Sequence, residues 1–186
     1  LRYRLGLPAG KRVFLSAGFL SDKKGLPTLM EAFVSSPMGR SDVLVLLGDG
    51  PLRNKCSRFA AAKGNIRVTG FVENVADYLR AADIFVSASL TEGCPNAVME
   101  AMACGLPVIL SDIPPHREIL SFNEKAGLLF PAGDPESLAN VLSKSRDINY
   151  SECSSAALGI VSNHLNARAM SLRYQQLYTQ MHGGKT

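Results

Sequence analysis

Two glutamates, Glu92 and Glu100, lie on either side of the point where an apolar run ends and a helical pattern begins. Gly93 lets the backbone approach a ligand closely, and Pro95 suits the first turn of a helix, where its missing N–H is not needed. The N–H groups of residues 94–97 are then expected to point into a cleft, at the positive end of the helix dipole. Such a turn is suited to phosphate or sugar oxygens, and the carboxylate of Glu100 can accept two hydrogen bonds from a ribose diol.

A simpler interpretation of the two glutamates is also open. Glu92 could cap the helix, and Glu100 could belong to a solvated helix face. The neighbouring glycine and proline, and the strand–helix order around them, favour the binding site.

The elements that must position this turn alternate along the chain. Short apolar runs predict six strands, over residues 13–17, 43–47, 66–68, 84–88, 108–110 and 128–130. Apolar residues at helical spacing predict helices over residues 26–34, 51–63, 75–82, 95–104, 135–145, 151–161 and 167–181. The strands have no polar face, and strand–helix alternation indicates a parallel sheet that is covered on both sides. We therefore expect one α/β domain over residues 1–186: a Rossmann-like, doubly wound parallel sheet of about six strands with helices on both faces, plus extra C-terminal helices.

Ligands of such sheets bind at the carboxyl ends of the strands. The loops to inspect are residues 18–25, 48–51, 70–74, 89–96 and 111–118. His116 lies in the last of these loops, after two prolines; it could face the cleft, but a surface role is the favoured expectation.

Composition excludes several classes of protein. Apolar residues make up 46% of the 186, enough for a sizeable core, so a disordered chain is excluded. The net charge of +4 is carried by dispersed basic residues, which argues against nucleic-acid binding. The four cysteines are widely spaced, which argues against a zinc site or a disulfide framework and favours a cytoplasmic protein. No apolar run is long enough to span a membrane.

Residues 92–100 resemble the E-x7-E motif of retaining glycosyltransferases with the GT-B fold, and their flanks resemble glycosyltransferase family 4. Further segments resemble this family in its own order: residues 17–18 with 24–25, 47–52, 70–72, 82–86 and 127–135. The resemblance covers about residues 5–180.

The resemblance implies a role for each matching position. Glu92 would lie beside the transferred sugar and Lys24 would pair with the diphosphate, and these two are the expected catalytic residues. Glu100 would bind the ribose of the nucleotide. The other expected donor-binding residues lie in the loops: Gly18, Phe19, Gly48, Phe71, Val72, Gly93, Cys94, Pro95, Asn96 and Ala97. Among these, Gly18 would leave room beneath the phosphates, and the backbone of Phe71 and Val72 would hold the base.

One position departs from the family pattern. Family members usually carry arginine directly after the first-loop glycine, and this chain has Phe19 there. Either Lys24 acts alone, or a cation such as Lys23 substitutes, or activity is reduced. A phenylalanine on a loop is more typical of local packing than of base stacking.

Taken as a whole, the resemblance implies the C-terminal, donor-binding half of a two-domain hexosyltransferase, whose N-terminal acceptor domain is missing from this chain. The reaction would take a UDP- or GDP-sugar, retain the anomeric configuration and need no metal or other cofactor. The acceptor would be a saccharide or a lipid-linked saccharide in surface polysaccharide or glycolipid synthesis, with the enzyme cytoplasmic and peripheral at the inner face of the membrane. The isolated fragment is expected to bind donor without turnover. The alternatives are a degenerate, non-catalytic nucleotide-sugar-binding module and a related GT-B epimerase or phosphorylase.

Overall fold

The computed structural model describes residues 1–183, apart from the side chains at positions 173, 177 and 180–183; the last three residues of the predicted domain lie outside it. Six strands form one sheet: β1 Val13–Ala17, β2 Val43–Leu47, β3 Ile66–Gly70, β4 Ile84–Ser87, β5 Val108–Ser111 and β6 Gly127–Phe130. Every neighbouring pair in the sheet runs parallel. The predicted Rossmann-like class and the predicted strands are confirmed.

The helices within residues 1–183 are α1 Leu26–Ser35, α2 Met38–Ser41, α3 Arg53–Lys63, α4 Val75–Ala81, α5 Asn96–Ala103, α6 Pro114–Ser121, α7 Pro135–Lys144, α8 Tyr150–Asn163 and α9 Ala167–Gly183. Buried side chains of α4, α5, α6 and α8 pack on one face of the sheet. Those of α1, α2, α3 and α7 pack on the other face. Both faces are therefore covered, as the apolar strands predict.

Strand β1 shows why its sequence has no polar face. Val13 and Leu15 point into the first core, and Phe14 points into the second, where its ring meets Phe33 edge-on at 5.5 Å between centroids. All three strand residues are fully buried. Because successive side chains of a strand alternate between faces, both sets must be apolar when both faces are covered.

Helix α6 corrects the sequence analysis, which treats residues 111–118 as a loop. The two prolines, Pro114 and Pro115, occupy the first turn of α6, where a missing N–H is tolerated. His116, Ile119 and Leu120 then share its buried face. The short helix α2 was also not predicted, and α3 and α5 begin slightly later than expected.

The strand order is β3-β2-β1-β4-β5-β6. The chain moves outward from β1 in one direction and, from β4, in the other, so the order reverses between β1 and β4. In open parallel sheets a crevice forms at the carboxyl ends of the strands at this reversal. The loop of Lys24 follows β1 and the loop of Glu92 follows β4, so the fold brings these two loops together.

Candidate functional site

The loops after β1 and β4 are joined at the crevice by an ion pair. Lys24 Nζ donates to Glu92 Oε1 at 2.6 Å, and the two side chains are only 25% and 13% exposed. Gly25 makes this approach possible, because a Cβ there would lie 2.0 Å from the Ala88 carbonyl oxygen. The Leu90 N–H donates to the Lys23 carbonyl at 2.7 Å and fixes the loops further. The two expected catalytic residues therefore contact each other directly.

Glu92 is ionised in this setting. Burial raises the pKa of its carboxyl, but hydrogen bonds from Lys24 and from Ser89 Oγ, the latter at 2.7 Å, outweigh burial and leave the pKa below its ordinary value. Both donors bind Oε1. The other oxygen, Oε2, accepts no hydrogen bond from residues 1–183.

The lowered pKa of Glu92 predicts a contribution to stability with a definite sign. The pair stabilises the fold above the unfolded pKa of a glutamate, about 4.3, and this stabilisation is lost as pH falls through the folded pKa. We expect the free energy of unfolding of the wild type to fall more steeply than that of Glu92→Gln between about pH 6 and pH 3, measured by urea titration. Glu31→Gln, at an exposed position of α1, should follow the wild type. Parallel curves for wild type and Glu92→Gln would contradict the assignment.

The turn before α5 differs in detail from the sequence expectation. Pro95 precedes the helix, and its carbonyl accepts the first helical N–H bonds. The Asn96 N–H donates to the Cys94 carbonyl at 2.9 Å, so it is not free as expected. Within the described part of the chain, the N–H groups of Gly93, Cys94 and Ala97 have no hydrogen-bond partner. Three N–H donors of the described residues therefore remain for a ligand at the start of α5.

Glu100 lies in the second turn of α5 and is exposed. Its carboxylate makes no hydrogen bond or ion pair with the described residues. That arrangement leaves both oxygens free to accept hydrogen bonds from a ligand, as expected for a ribose contact.

Five of the expected donor-binding residues line one cavity of about 350 Å³ across the ends of β1, β2 and β3. Its lining consists of Ala17, Gly18, Phe19, Leu47, Gly48, Asp49, Phe71, Val72 and Val75. The residues expected at the base, Phe71 and Val72, therefore lie beside the first two loops. The site has two parts: this largely apolar cavity, and the polar crevice of Lys24 and Glu92.

Phe19 is 64% exposed, so the expectation of local packing is wrong. Its ring lies at the cavity mouth together with Phe71, which is 76% exposed. The loop carries two lysines beyond it. Lys24 is held by Glu92, and the neighbouring Lys23 is exposed to solvent.

Cys94 and Asn96 line a second cavity, of about 600 Å³, between the start of α5 and the start of α9. It is completed by Met99, His164, Leu165, Asn166, Ala167, Met170 and Tyr174. Five of the expected donor-binding residues thus line the first cavity and two line the second, whereas Gly93, Pro95, Ala97 and Glu100 line neither.

His116, expected at the surface, is fully buried. Its Nδ1 lies 2.9 Å from the Ser111 carbonyl oxygen and 3.2 Å from Ser111 Oγ. The recurrence of apolar residues at Ile113, Ile119 and Leu120 could have indicated a buried helical face that includes this histidine.

Within residues 1–183, no group of three or more histidine, cysteine, aspartate or glutamate side chains is placed to hold a metal ion. No helix of the same residues combines the length and the apolarity of a membrane span. All four cysteines are free thiols.

Residues 11–145 match the protein family described as glycosyl transferases group 1. The match covers more than half of the chain and includes Lys24, Glu92, Glu100 and the turn before α5. The chain belongs to this family, and the match confirms the resemblance to glycosyltransferases.

Two curated relatives illustrate the match. LpsE of Rhizobium meliloti, a lipopolysaccharide core biosynthesis glycosyltransferase, is 31% identical over 144 residues, which are 76% of this chain and 41% of LpsE. An Escherichia coli UDP-Gal:alpha-D-GlcNAc-diphosphoundecaprenol alpha-1,3-galactosyltransferase is 31% identical over 150 residues, 77% of this chain and 38% of that enzyme. The chain therefore spans about two fifths of the length of these relatives.

A solved structure shares the fold. HepE of Anabaena, in complex with UDP, superposes with a TM-score of 0.82 at 21% identity, over 96% of this chain and 51% of HepE. The likeness extends through the whole doubly wound sheet and supports the GT-B assignment of this domain.

Proposed function

We propose that this chain is the donor-binding domain of a retaining hexosyltransferase that uses a UDP- or GDP-sugar. The observation that carries the proposal is the Lys24–Glu92 pair at the strand-order reversal. It lies next to three N–H groups at the start of α5 that have no partner within residues 1–183. The family match supports a glycosyltransferase, and the fold shared with HepE, which was solved in complex with UDP, supports a nucleotide ligand.

In the proposed reaction Lys24 and the α5 turn bind the diphosphate. Negative charge accumulates on the diphosphate as it leaves the anomeric carbon, and a cation with preorganised N–H donors stabilises that charge. Glu92, ionised and held by Ser89, accepts a hydrogen bond from a hydroxyl of the transferred sugar. These groups would do the work that a divalent cation does in other transferases, so we propose a reaction without metal.

The nucleoside would occupy the other half of the site. The backbone of Phe71 and Val72 would hold the base at the cavity across β1–β3, and Glu100 would bind the ribose. Phe19 stands at the mouth of the same cavity.

We further propose that the acceptor site lies in a second domain. The chain spans about half of HepE, and several apolar side chains of α9 are exposed, namely Met170, Leu172, Tyr174 and Tyr178. The E. coli relative acts, by its name, on a saccharide linked to diphosphoundecaprenol. By analogy the acceptor here is a lipid-linked saccharide of surface polysaccharide synthesis, reached from the cytoplasmic face of the membrane.

Calorimetry of this chain with UDP, GDP, ADP and the corresponding glucose conjugates tests the donor proposal. We expect one nucleoside diphosphate to bind. Its monophosphate should bind at least about tenfold more weakly, because it lacks one charged group for Lys24 and the N–H donors. EDTA should change neither of these two affinities. Absence of binding at millimolar concentrations of all six compounds would overturn the proposal.

Phe19 favours one alternative, a non-catalytic nucleotide-sugar-binding module, because the family arginine is missing. Transfer assays on the complete protein distinguish the two: a protein that binds donor without transfer, and gains transfer with Phe19→Arg, is the degenerate module. Product analysis with labelled donor separates transfer from epimerisation or phosphorolysis.

A further inference from the structure

Buried polar side chains concentrate beneath the crevice. Among the described residues seven polar or charged residues are buried, and four of them lie at or just beyond the ends of β4 and β5: Ser87, Ser89, Ser111 and His116. Buried polar groups are unfavourable unless hydrogen-bonded. Their concentration at one end of the sheet therefore calls for a reason beyond packing.

The hydrogen bonds of His116 define its tautomer. Nδ1 faces the Ser111 carbonyl oxygen, which can only accept, so Nδ1 carries the hydrogen. Burial lowers the pKa of the imidazole below its ordinary value, so the ring is neutral at neutral pH. Nε2 is then an acceptor, and it has no hydrogen-bond partner within residues 1–183. A leucine would fill the same space without burying an unpaired acceptor, so the donor at Nδ1 is the feature that distinguishes this residue.

A line of hydrogen bonds connects His116 to the crevice. His116 fixes the backbone and side chain of Ser111, and Ser111 Oγ donates to the Ser89 carbonyl at 2.5 Å. Ser89 Oγ in turn donates to Glu92 Oε1 at 2.7 Å. The line therefore reaches from α6, through the ends of β5 and β4, to the carboxylate that Lys24 holds from the other side.

We propose that His116 is a positioning residue for Glu92, which acts through Ser111 and Ser89 to orient the carboxylate toward the transferred sugar. The orientation toward sugar rests on the proposed function, whereas the link to Glu92 does not. His116 itself touches no ligand in this proposal, because its ring is fully buried.

The first test measures the Glu92 carboxyl directly in the ligand-free chain. Carbon-13 NMR of glutamate-labelled protein, assigned with Glu92→Gln, gives its pKa. His116→Leu removes the Nδ1 donor to Ser111 and should raise the pKa of Glu92 toward its ordinary value, because Ser111, which donates to the Ser89 carbonyl, loses the contact that fixes it. His116→Asn, whose side-chain N–H can replace Nδ1–H, should keep the wild-type value.

A matched control separates positioning from general loss of packing. Ile119→Val trims a buried side chain on the same helix, α6, and should leave the pKa of Glu92 unchanged. If His116→Leu folds and also leaves that pKa unchanged, the proposal is overturned. If His116→Leu does not fold, His116→Gln supplies the same comparison, because glutamine lacks a donor at the Nδ1 position. A raised pKa of Glu92 in that variant supports the link, and an unchanged pKa overturns it.

The second test uses the ligand. In the wild type, the glucose conjugate of UDP or GDP, whichever the chain prefers, should bind more tightly than the diphosphate itself. His116→Leu should reduce this ratio of affinities to about one while affinity for the diphosphate stays within about twofold. A retained ratio would contradict the role in orienting Glu92 toward sugar. Failure of the wild type to bind any nucleotide would instead defeat the proposed function, while the NMR measurement still decides whether His116 positions Glu92.

Discussion

Replacing Lys24 by alanine is expected to weaken binding of the preferred nucleoside diphosphate by about 10- to 100-fold. Hydrogen bonds to charged groups contribute about 1.5–3 kcal/mol, and Lys24 is the cation held at the crevice beside the N–H groups of the α5 turn. The variant also leaves the ionised Glu92 without its cation, so that an uncompensated negative charge lies next to the diphosphate. Calorimetry with UDP or GDP, whichever the chain prefers, measures the change.

Two further variants make the Lys24 result specific. Lys23→Ala removes a neighbouring, exposed lysine and should change affinity less than about threefold, because solvent-exposed charges contribute little. An equal loss for both variants would show that Lys23 shares the role of the missing family arginine. Glu92→Gln should have the opposite effect to Lys24→Ala and preserve or tighten nucleoside diphosphate binding, since it frees Lys24 from its ion pair. If Glu92→Gln and Lys24→Ala weaken nucleotide binding equally, the proposed roles, Glu92 binding the sugar and Lys24 binding the diphosphate, are wrong.

The sequence could predict the layers of the fold because most strands, such as β1 and β2, are short apolar runs, and helices such as α1 and α7 have a clear apolar stripe. The turn around it singled out Glu92, and the family resemblance singled out Lys24. Their contact could not be predicted, since it depends on β1 and β4 being neighbours, and strand order is decided by crossovers rather than by local pattern. The ion pair is thus a property of the topology.

The errors have local causes. The two prolines before His116 favour a loop when considered alone, but they occupy the first turn of α6 and turn the histidine inward. The Asn96 N–H was expected to be free, but it donates to the Cys94 carbonyl. That hydrogen bond lies inside a tight turn, which the residue types alone do not reveal. Phe19 was expected to pack locally, yet the loops around it leave its ring at a cavity mouth.

Glu100→Ala is expected to weaken nucleotide binding by about 10- to 100-fold without destabilising the fold. The carboxylate is exposed and free of partners among the described residues, so its loss removes no internal contact, and alanine is the better helix former at an exposed position of α5. The affinity loss follows from two charge-assisted hydrogen bonds to a ribose diol. Glu31→Ala, at an exposed position of α1, is the matched control and should leave affinity unchanged.

The ribose assignment can be isolated by combining this variant with an altered ligand. The wild type should discriminate against a 2′,3′-dideoxynucleoside diphosphate by about 10- to 100-fold, since that ligand lacks the hydroxyls that Glu100 would accept from. Glu100→Ala should bind both ligands with nearly equal affinity. Once the carboxylate is gone, removing the ribose hydroxyls from the ligand breaks no further hydrogen bond with it. If the variant still prefers the ribose form by the wild-type factor, another group binds the diol, and Glu100 belongs to the solvated face of α5 that its sequence also allows.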